Sequence, residues 1–232
     1  MILKREQAGK TEESRSLVVG LTAVTFSGLY LVSDVIEVIQ GGFSTVQLVL
    51  TFAAEAAIPF FVIGLYLVQR PRIGALGFSG AAVYAYTFVF FTGTVWFALV
   101  NGTSDWNELV GRLGIWMTVH GALMVFSGFA FGLAVVRVGV LPRWTGVALM
   151  VGVVSIAVSS TLPDAVQTAS AGVRDVAFGG MGLSLLIARR RLRRRASTID
   201  LPPTSAQPAS WGRYPALQTG ADGDRRKERQ AW

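Results

Sequence analysis

The segment Phe43–Val68 reads FSTVQLVLTFAAEAAIPFFVIGLYLV and contains one charged residue, Glu55. Roughly 20 consecutive apolar residues are enough to cross the hydrocarbon core of a bilayer as an α-helix. The segment is longer than that, and the sequence Arg70-Pro71-Arg72 follows it almost at once. It therefore predicts a transmembrane helix that ends at a positively charged boundary.

Five further apolar segments, of 17 to 30 residues, lie on both sides of this one. They are Ser16–Gln40, Pro71–Val100, Leu109–Val136, Leu141–Leu162 and Gly172–Ala188. Mean hydropathy is +0.50 and only 15% of residues are charged, against about 25% in soluble domains. We predict an all-α, polytopic membrane helix bundle with six transmembrane helices over residues 16–188. Residues 1–15 form an N-terminal tail, and residues 189–232, rich in polar residues and proline, are predicted to be a disordered basic tail.

The distribution of lysine and arginine predicts how the chain is threaded. Fourteen of these residues lie in the N-terminal tail, in the turns after the second and fourth spans and in the basic run Arg189–Arg195, whereas the opposite side has only Arg112 and Arg174. Cytoplasmic loops carry an excess of positive charge. We therefore expect a multi-pass protein of the plasma (cytoplasmic) membrane, with both termini in the cytoplasm and an even number of spans.

Charge also limits the partners. The formal net charge is +7, but the basic residues flank apolar spans instead of lining one folded face, so nucleic acid is not an expected partner. The basic run Arg189–Arg195 is expected to lie against anionic lipid headgroups. The chain has no cysteine, which excludes disulfides and thiol chemistry.

Asp34, Glu37, Glu55 and His120 lie inside predicted spans, away from the arginines near the span ends. Such groups are costly in hydrocarbon, so they should face the bundle interior or water. Glu55 lies about 18 Å below the outer start of its span and His120 about 16 Å below that of the fourth. Their common depth predicts a Glu55–His120 pair near the midplane.

The polar residues of the spans concentrate in their outer halves. Gln47, Thr51 and Glu55 follow one another at intervals of four and share a helix face. The inner halves are almost wholly apolar. We therefore predict an outward-facing polar cup whose ligand-binding residues are Glu55, His120, Asp34, Glu37, Gln47 and Thr51.

Three classes of function fit such a cup. The first is binding or transport of a small solute, cation or proton. The second, less favoured, is a membrane-embedded enzyme, hydrolytic or metal-dependent, that uses the Glu55/His120 pair. The third is a structural or partner subunit, in which that pair only fixes helix register. Glu55 and His120 are the candidate metal ligands, although no spacing motif supports a metal site, and no cofactor is predicted.

Simpler interpretations also remain for single residues. Asp34 and Glu37 are close enough to the membrane surface to reach water. Arg112 and Arg174 are interpreted as interfacial side chains that extend toward the headgroups.

The stretch Glu55–Leu67, the run Phe131–Gly146 with its Pro142-Arg143-Trp144 sequence, and the arginine-terminated last span carry a resemblance. Over most of residues 16–188 the chain resembles uncharacterised six-helix multi-pass inner-membrane proteins of high-GC bacteria. The resemblance implies a six-helix inner-membrane fold. It implies no substrate and no catalytic residue.

Overall fold

The computed structural model describes residues 2–159, 162 and 164–199, and the described chain is all helical. It forms seven helices: α1 (Ile2–Gln40), α2 (Thr45–Gln69), α3 (Gly74–Asn101), α4 (Trp106–Leu113), α5 (Ile115–Val138), α6 (Arg143–Ser159) and α7 (Asp164–Ile199). No strand occurs among these residues. The all-α prediction is confirmed.

Five of the helices are long and apolar enough to cross a membrane. The candidate spans are Glu12–Gln40, Thr45–Gln69, Gly74–Asn101, Ile115–Val138 and Val166–Leu192. Helix α6 is apolar but shorter, at 17 residues. Large apolar side chains point outward from the bundle, including Phe60 and Phe126, each 76% exposed. An apolar exterior on long apolar helices is what a lipid-facing surface requires, so this is a multi-pass membrane protein.

The helices form a closed ring in chain order. Helix α2 packs between α1 and α3, α5 between α3 and α6, and α7 closes the ring by packing against both α6 and α1. Glycines allow the backbones to approach closely: a Cβ on Gly182 would lie 2.7 Å from the carbonyl oxygen of Gly20, and one on Gly146 would lie 2.6 Å from that of Gly132. Small residues at helix contacts are typical of packing inside membranes.

The basic segments gather at one end of this ring, which we call the basic end. Arg189 near the end of α7 donates to Glu13 near the start of α1 at 3.1 Å. The turn between α5 and α6, with Arg143, adjoins α7 at Arg191. At the opposite end, the Phe43 N–H between α1 and α2 donates to the carbonyl of Ser104 at 2.8 Å.

The predicted fourth span is wrong at its start. It was expected to begin at Leu109, but that residue belongs to the separate helix α4. Gly114, with φ of 54°, lies between α4 and α5. A positive φ suits glycine and interrupts a right-handed helix, so the chain changes direction there.

Helix α4 is a short surface helix at the opposite end. Its N-cap Asp105 accepts a hydrogen bond from the Glu108 N–H at 2.9 Å. The Glu108 carboxylate accepts from the backbone N–H and hydroxyl of Ser104 and pairs with Arg112. These interactions, the Ser104 N–H first, lower the pKa of Glu108 to about 2.

Helix α7 is longer than predicted in both directions. It was expected over Gly172–Ala188 but begins at Asp164 and continues to Ile199. The arginine-rich segment 189–199, predicted as disordered tail, is therefore helical. Arginine and leucine are good helix formers, so the helix can continue past the apolar span. The remaining tail, 200–232, lies outside the described residues, and at the other terminus α1 already begins at Ile2.

Candidate functional site

Ionisable side chains from four helices, all of them buried except the partly buried Tyr30, meet inside the ring. We call this group the carboxylate cluster: Tyr30 and Asp34 on α1, Glu55 on α2, Tyr84 on α3, and Arg174 and Asp175 on α7. Glu55 is 5% exposed and Arg174 is 3% exposed. Arg174 and Asp175 lie close enough to Glu55 for their charges to act on its carboxyl.

Two direct contacts organise the cluster. The hydroxyl of Tyr30 donates to Glu55 Oε1 at 2.9 Å, which joins α1 to α2. On α7, Arg174 Nε donates to Asp175 Oδ1 at 3.0 Å. The guanidinium carbon of Arg174 lies 4.6 Å from the centre of the Tyr30 ring and 5.5 Å from that of Phe88. Aromatic faces stabilise a cation held in this way.

Several buried polar atoms of the cluster have no hydrogen-bond partner. Among its buried atoms, the following lack a hydrogen-bond partner: Asp34 Oδ2, Glu55 Oε2, Tyr84 Oη, Arg174 Nη2 and Asp175 Oδ2. Arg174 Nη2 approaches Asp175 Oδ1 to 3.0 Å, but the contact is not aligned as a hydrogen bond. Buried polar groups are nearly always satisfied in folded proteins. Five unsatisfied atoms in one region therefore make this cluster the candidate functional site.

The close packing of α6 against α7 fixes the position of Arg174. A Cβ on Gly152 would lie 2.7 Å from the backbone nitrogen of Arg174. Glycine is needed there because the two backbones touch. Arg174 is thus held in the interior by its backbone as well as by its ion pair.

A second polar group joins α1 to α2 closer to the opposite end. Gln47 Nε2 donates to Glu37 Oε2 at 2.9 Å and to Thr51 Oγ1 at 3.1 Å. The hydroxyl of Ser33 donates to the carbonyl of Gln47 at 2.9 Å and also contacts Thr51. Three of the predicted residues, Glu37, Gln47 and Thr51, are therefore brought together. Their neighbour Ser33 was missed, although it too lies in the outer part of its span.

His120 lies apart, between α3 and α5. Its ring stacks on Phe90 with the centroids 3.6 Å apart. Nε2 is 3.3 Å from the Tyr86 hydroxyl, and Nδ1 is 2.9 Å from the Trp116 carbonyl. Both ring nitrogens thus have a hydrogen-bond partner, and aromatic side chains pack around the ring.

The predicted Glu55–His120 pair does not form. Glu55 binds Tyr30 through one oxygen and leaves the other without a partner, while His120 binds residues of α3 and α5. Depth along a helix fixes only one coordinate. The direction in which a side chain points also depends on rotation about the helix axis and on which helices are neighbours.

The interpretation of Arg174 as an interfacial side chain is wrong. That interpretation assumed that the last span begins at Gly172, which would put Arg174 close to its start. Helix α7 instead begins at Asp164. Ten residues of helix put Arg174 about 15 Å from that start. The sequence signal that could have found this site is an adjacent Arg174-Asp175 pair inside an apolar stretch. Tyr84 was also missed, because nothing in its local sequence distinguishes it from a core aromatic residue.

A metal centre finds no support in this geometry. Within residues 2–159, 162 and 164–199, no three His, Cys, Asp or Glu side chains are placed to hold a metal ion. The two candidate ligands, Glu55 and His120, bind different neighbours.

The fold and this cluster together define a class: a multi-pass helical membrane protein with buried ionisable side chains inside its helix ring. Comparison with known proteins does not narrow the class further. No protein-family model, no curated protein and no solved structure matches the chain.

Proposed function

We propose that this protein binds protons at the carboxylate cluster and uses them to drive or gate the movement of a small solute or cation across the membrane. The observation that carries the proposal is an imbalance of buried charge. Three carboxyl groups, on Asp34, Glu55 and Asp175, share the interior with one guanidinium, on Arg174.

The charge imbalance is costly unless something neutralises it. If all four groups were ionised, the cluster would carry three negative charges and one positive charge, a net of about −2 buried inside the bundle, where uncompensated charge is expensive. Arg174 is already paired with Asp175. Asp34 and Glu55 are the two carboxyls left to be neutralised, each with one buried oxygen free of hydrogen bonds.

Protons fit this site better than a metal ion. A hard cation such as Ca²⁺ needs six or more oxygen ligands around one point. No group of three ligating side chains is placed for that in the described chain. A proton needs a single oxygen, and it removes the charge of the carboxyl it joins. A monovalent cation bound between Asp34 and Glu55 is the alternative that the experiment below separates.

The membrane arrangement that goes with this function has six spans. Helix α6 has 17 residues, about 26 Å of helix, which is close to the ~30 Å hydrocarbon core. It takes its own position in the helix ring between α5 and α7. The protein then lies in the cytoplasmic membrane with its basic end facing the cytoplasm, as the excess of positive charge favours. Both termini are in the cytoplasm in this arrangement.

Proton uptake by the purified protein in lipid nanodiscs tests the proposal. Uptake is measured with an indicator dye between about pH 9 and pH 5, for wild type, Asp34→Asn and Glu55→Gln. Each substitution keeps the size of the side chain and removes one titrating group. We expect each variant to take up about one proton fewer per chain than wild type. Glu108→Gln is the matched control, because the pKa of Glu108 is about 2 and its carboxylate stays ionised over this range.

The outcomes are distinguishable. Folded variants that take up as many protons as wild type would refute proton binding at the cluster. Uptake that disappears when Na⁺ or K⁺ is added would show that a cation replaces the proton. Failure of both variants to fold, with no uptake by wild type beyond the control, would favour a structural role for the cluster.

A further inference from the structure

A groove of about 720 Å³ lies at the basic end of the bundle, far from the carboxylate cluster along the chain of α7. The turn between α5 and α6 forms one wall and the last part of α7 forms the other. The apolar lining includes the exposed side chains of Val140, Ile187 and Leu192. Two arginines, Arg143 and Arg191, complete the lining.

The two arginines of the groove differ from their neighbour Arg189. Arg189 donates to the carboxylate of Glu13. Arg143 and Arg191 are exposed, and within the described residues neither forms an ion pair. Guanidinium groups bind phosphate oxygens with two parallel hydrogen bonds. Two unpaired guanidinium groups beside an apolar wall therefore form a surface that is positive at one edge and apolar at the other.

The geometry points to a binding site for one anionic phospholipid, with its phosphate between Arg143 and Arg191. The start of an acyl chain lies along the exposed side chains of Val140, Ile187 and Leu192. The volume accommodates a headgroup and the first part of the chains, and the rest of each chain stays in the bilayer.

A lipid suits this groove better than a soluble phosphate. The apolar wall gives a free phosphate ion no contact, whereas it contributes to the binding of an acyl chain through buried apolar area. The groove also lies where a membrane-crossing helix, Val166–Leu192, reaches its last residues. Headgroup phosphates are found at that boundary. The site does not depend on the proposed proton binding.

Native mass spectrometry of the protein released from nanodiscs of phosphatidylglycerol and phosphatidylcholine tests the site. We expect one phosphatidylglycerol to be retained more tightly than all others. Arg143→Ala and Arg191→Ala should each weaken its binding about fivefold, which corresponds to about 1 kcal/mol for one charge near a headgroup. Arg137→Ala is the matched control, because it removes an exposed arginine from the same end outside the groove.

Three further measurements test whether the lipid occupies this groove. Ala188→Trp places a large ring in the groove without changing the charge, and it should displace the tight lipid. Inorganic phosphate at millimolar concentration should leave the lipid bound. Arg143→Lys keeps the charge and should retain most of the binding, which covers the case in which the alanine variant does not fold.

The result that overturns the proposal is equal weakening by Arg137→Ala and the groove variants, which indicates attraction to the whole basic surface. Retention of the lipid by Ala188→Trp also overturns it, because the lipid then lies elsewhere. Displacement by inorganic phosphate alone assigns the arginines to a soluble anion instead.

Discussion

Removing the hydroxyl of Tyr30 tests directly whether Glu55 changes its protonation state. Tyr30→Phe keeps the ring that packs against Arg174 and deletes only the donor that binds Glu55 Oε1 at 2.9 Å. The other oxygen of Glu55 has no hydrogen-bond partner. The substitution therefore removes the one hydrogen bond that the carboxyl makes within the described chain.

The expected cost depends on the charge of the carboxyl. A hydrogen bond between neutral groups contributes about 1 kcal/mol to stability, and one to a charged group about 1.5–3 kcal/mol. If Glu55 binds a proton at low pH, Tyr30→Phe should lower the free energy of unfolding by about 1 kcal/mol there. At high pH, where the carboxyl is ionised, the loss should rise to about 3 kcal/mol.

The assay is reversible unfolding by SDS in mixed micelles, followed by tryptophan fluorescence, at about pH 5.5 and pH 9. In a Glu55→Gln background the cost of Tyr30→Phe should be about 1 kcal/mol at both pH values, because the amide does not titrate. Tyr66→Phe is the matched control: Tyr66 packs beside Phe78 and should cost less than about 0.5 kcal/mol. A cost for Tyr30→Phe that is the same at both pH values would refute the reasoning.

Substitutions and titration at four single positions on α3 and α4 give further expected outcomes. Tyr84→Phe deletes a buried hydroxyl that has no partner, so it should be neutral or stabilise by about 1 kcal/mol in the same assay; a clear loss would mean that the hydroxyl contacts a bound molecule. Gly80→Ala should destabilise by about 1–3 kcal/mol, because its Cβ would lie 2.6 Å from the backbone of α5. Gly93→Ala on the same helix meets open space and should be neutral or slightly stabilising. The carboxyl of Glu108, with a pKa of about 2 against an ordinary 4.5, should stabilise α4 above pH 4.5 and lose that effect as the pH falls toward 2; an NMR titration midpoint near 4.5 would contradict this.

The sequence by itself determined the helical class, the presence of several long apolar helices and the gathering of positive charge. Each of these depends on a property read along one dimension: the length of an apolar run, or the number of arginines beside it. The segment Phe43–Val68 predicted α2 almost to its observed ends, Thr45–Gln69. The positions at which a helix is interrupted were harder to predict. Gly114 ends α4 through its backbone conformation, and the local pattern of apolar residues continues across it.

The partners within the site were decided only by the tertiary structure. The sequence identified Asp34 and Glu55 as costly in a membrane, and it gave the depth of Glu55 and His120 in their helices. It could not give the rotation of each helix or the identity of the helix that faces it. In the ring, Glu55 therefore meets Tyr30 from α1, while His120 faces Phe90 of α3. Packing sets these directions, because close contacts at glycines such as Gly152 fix which face of α7 turns inward with Arg174.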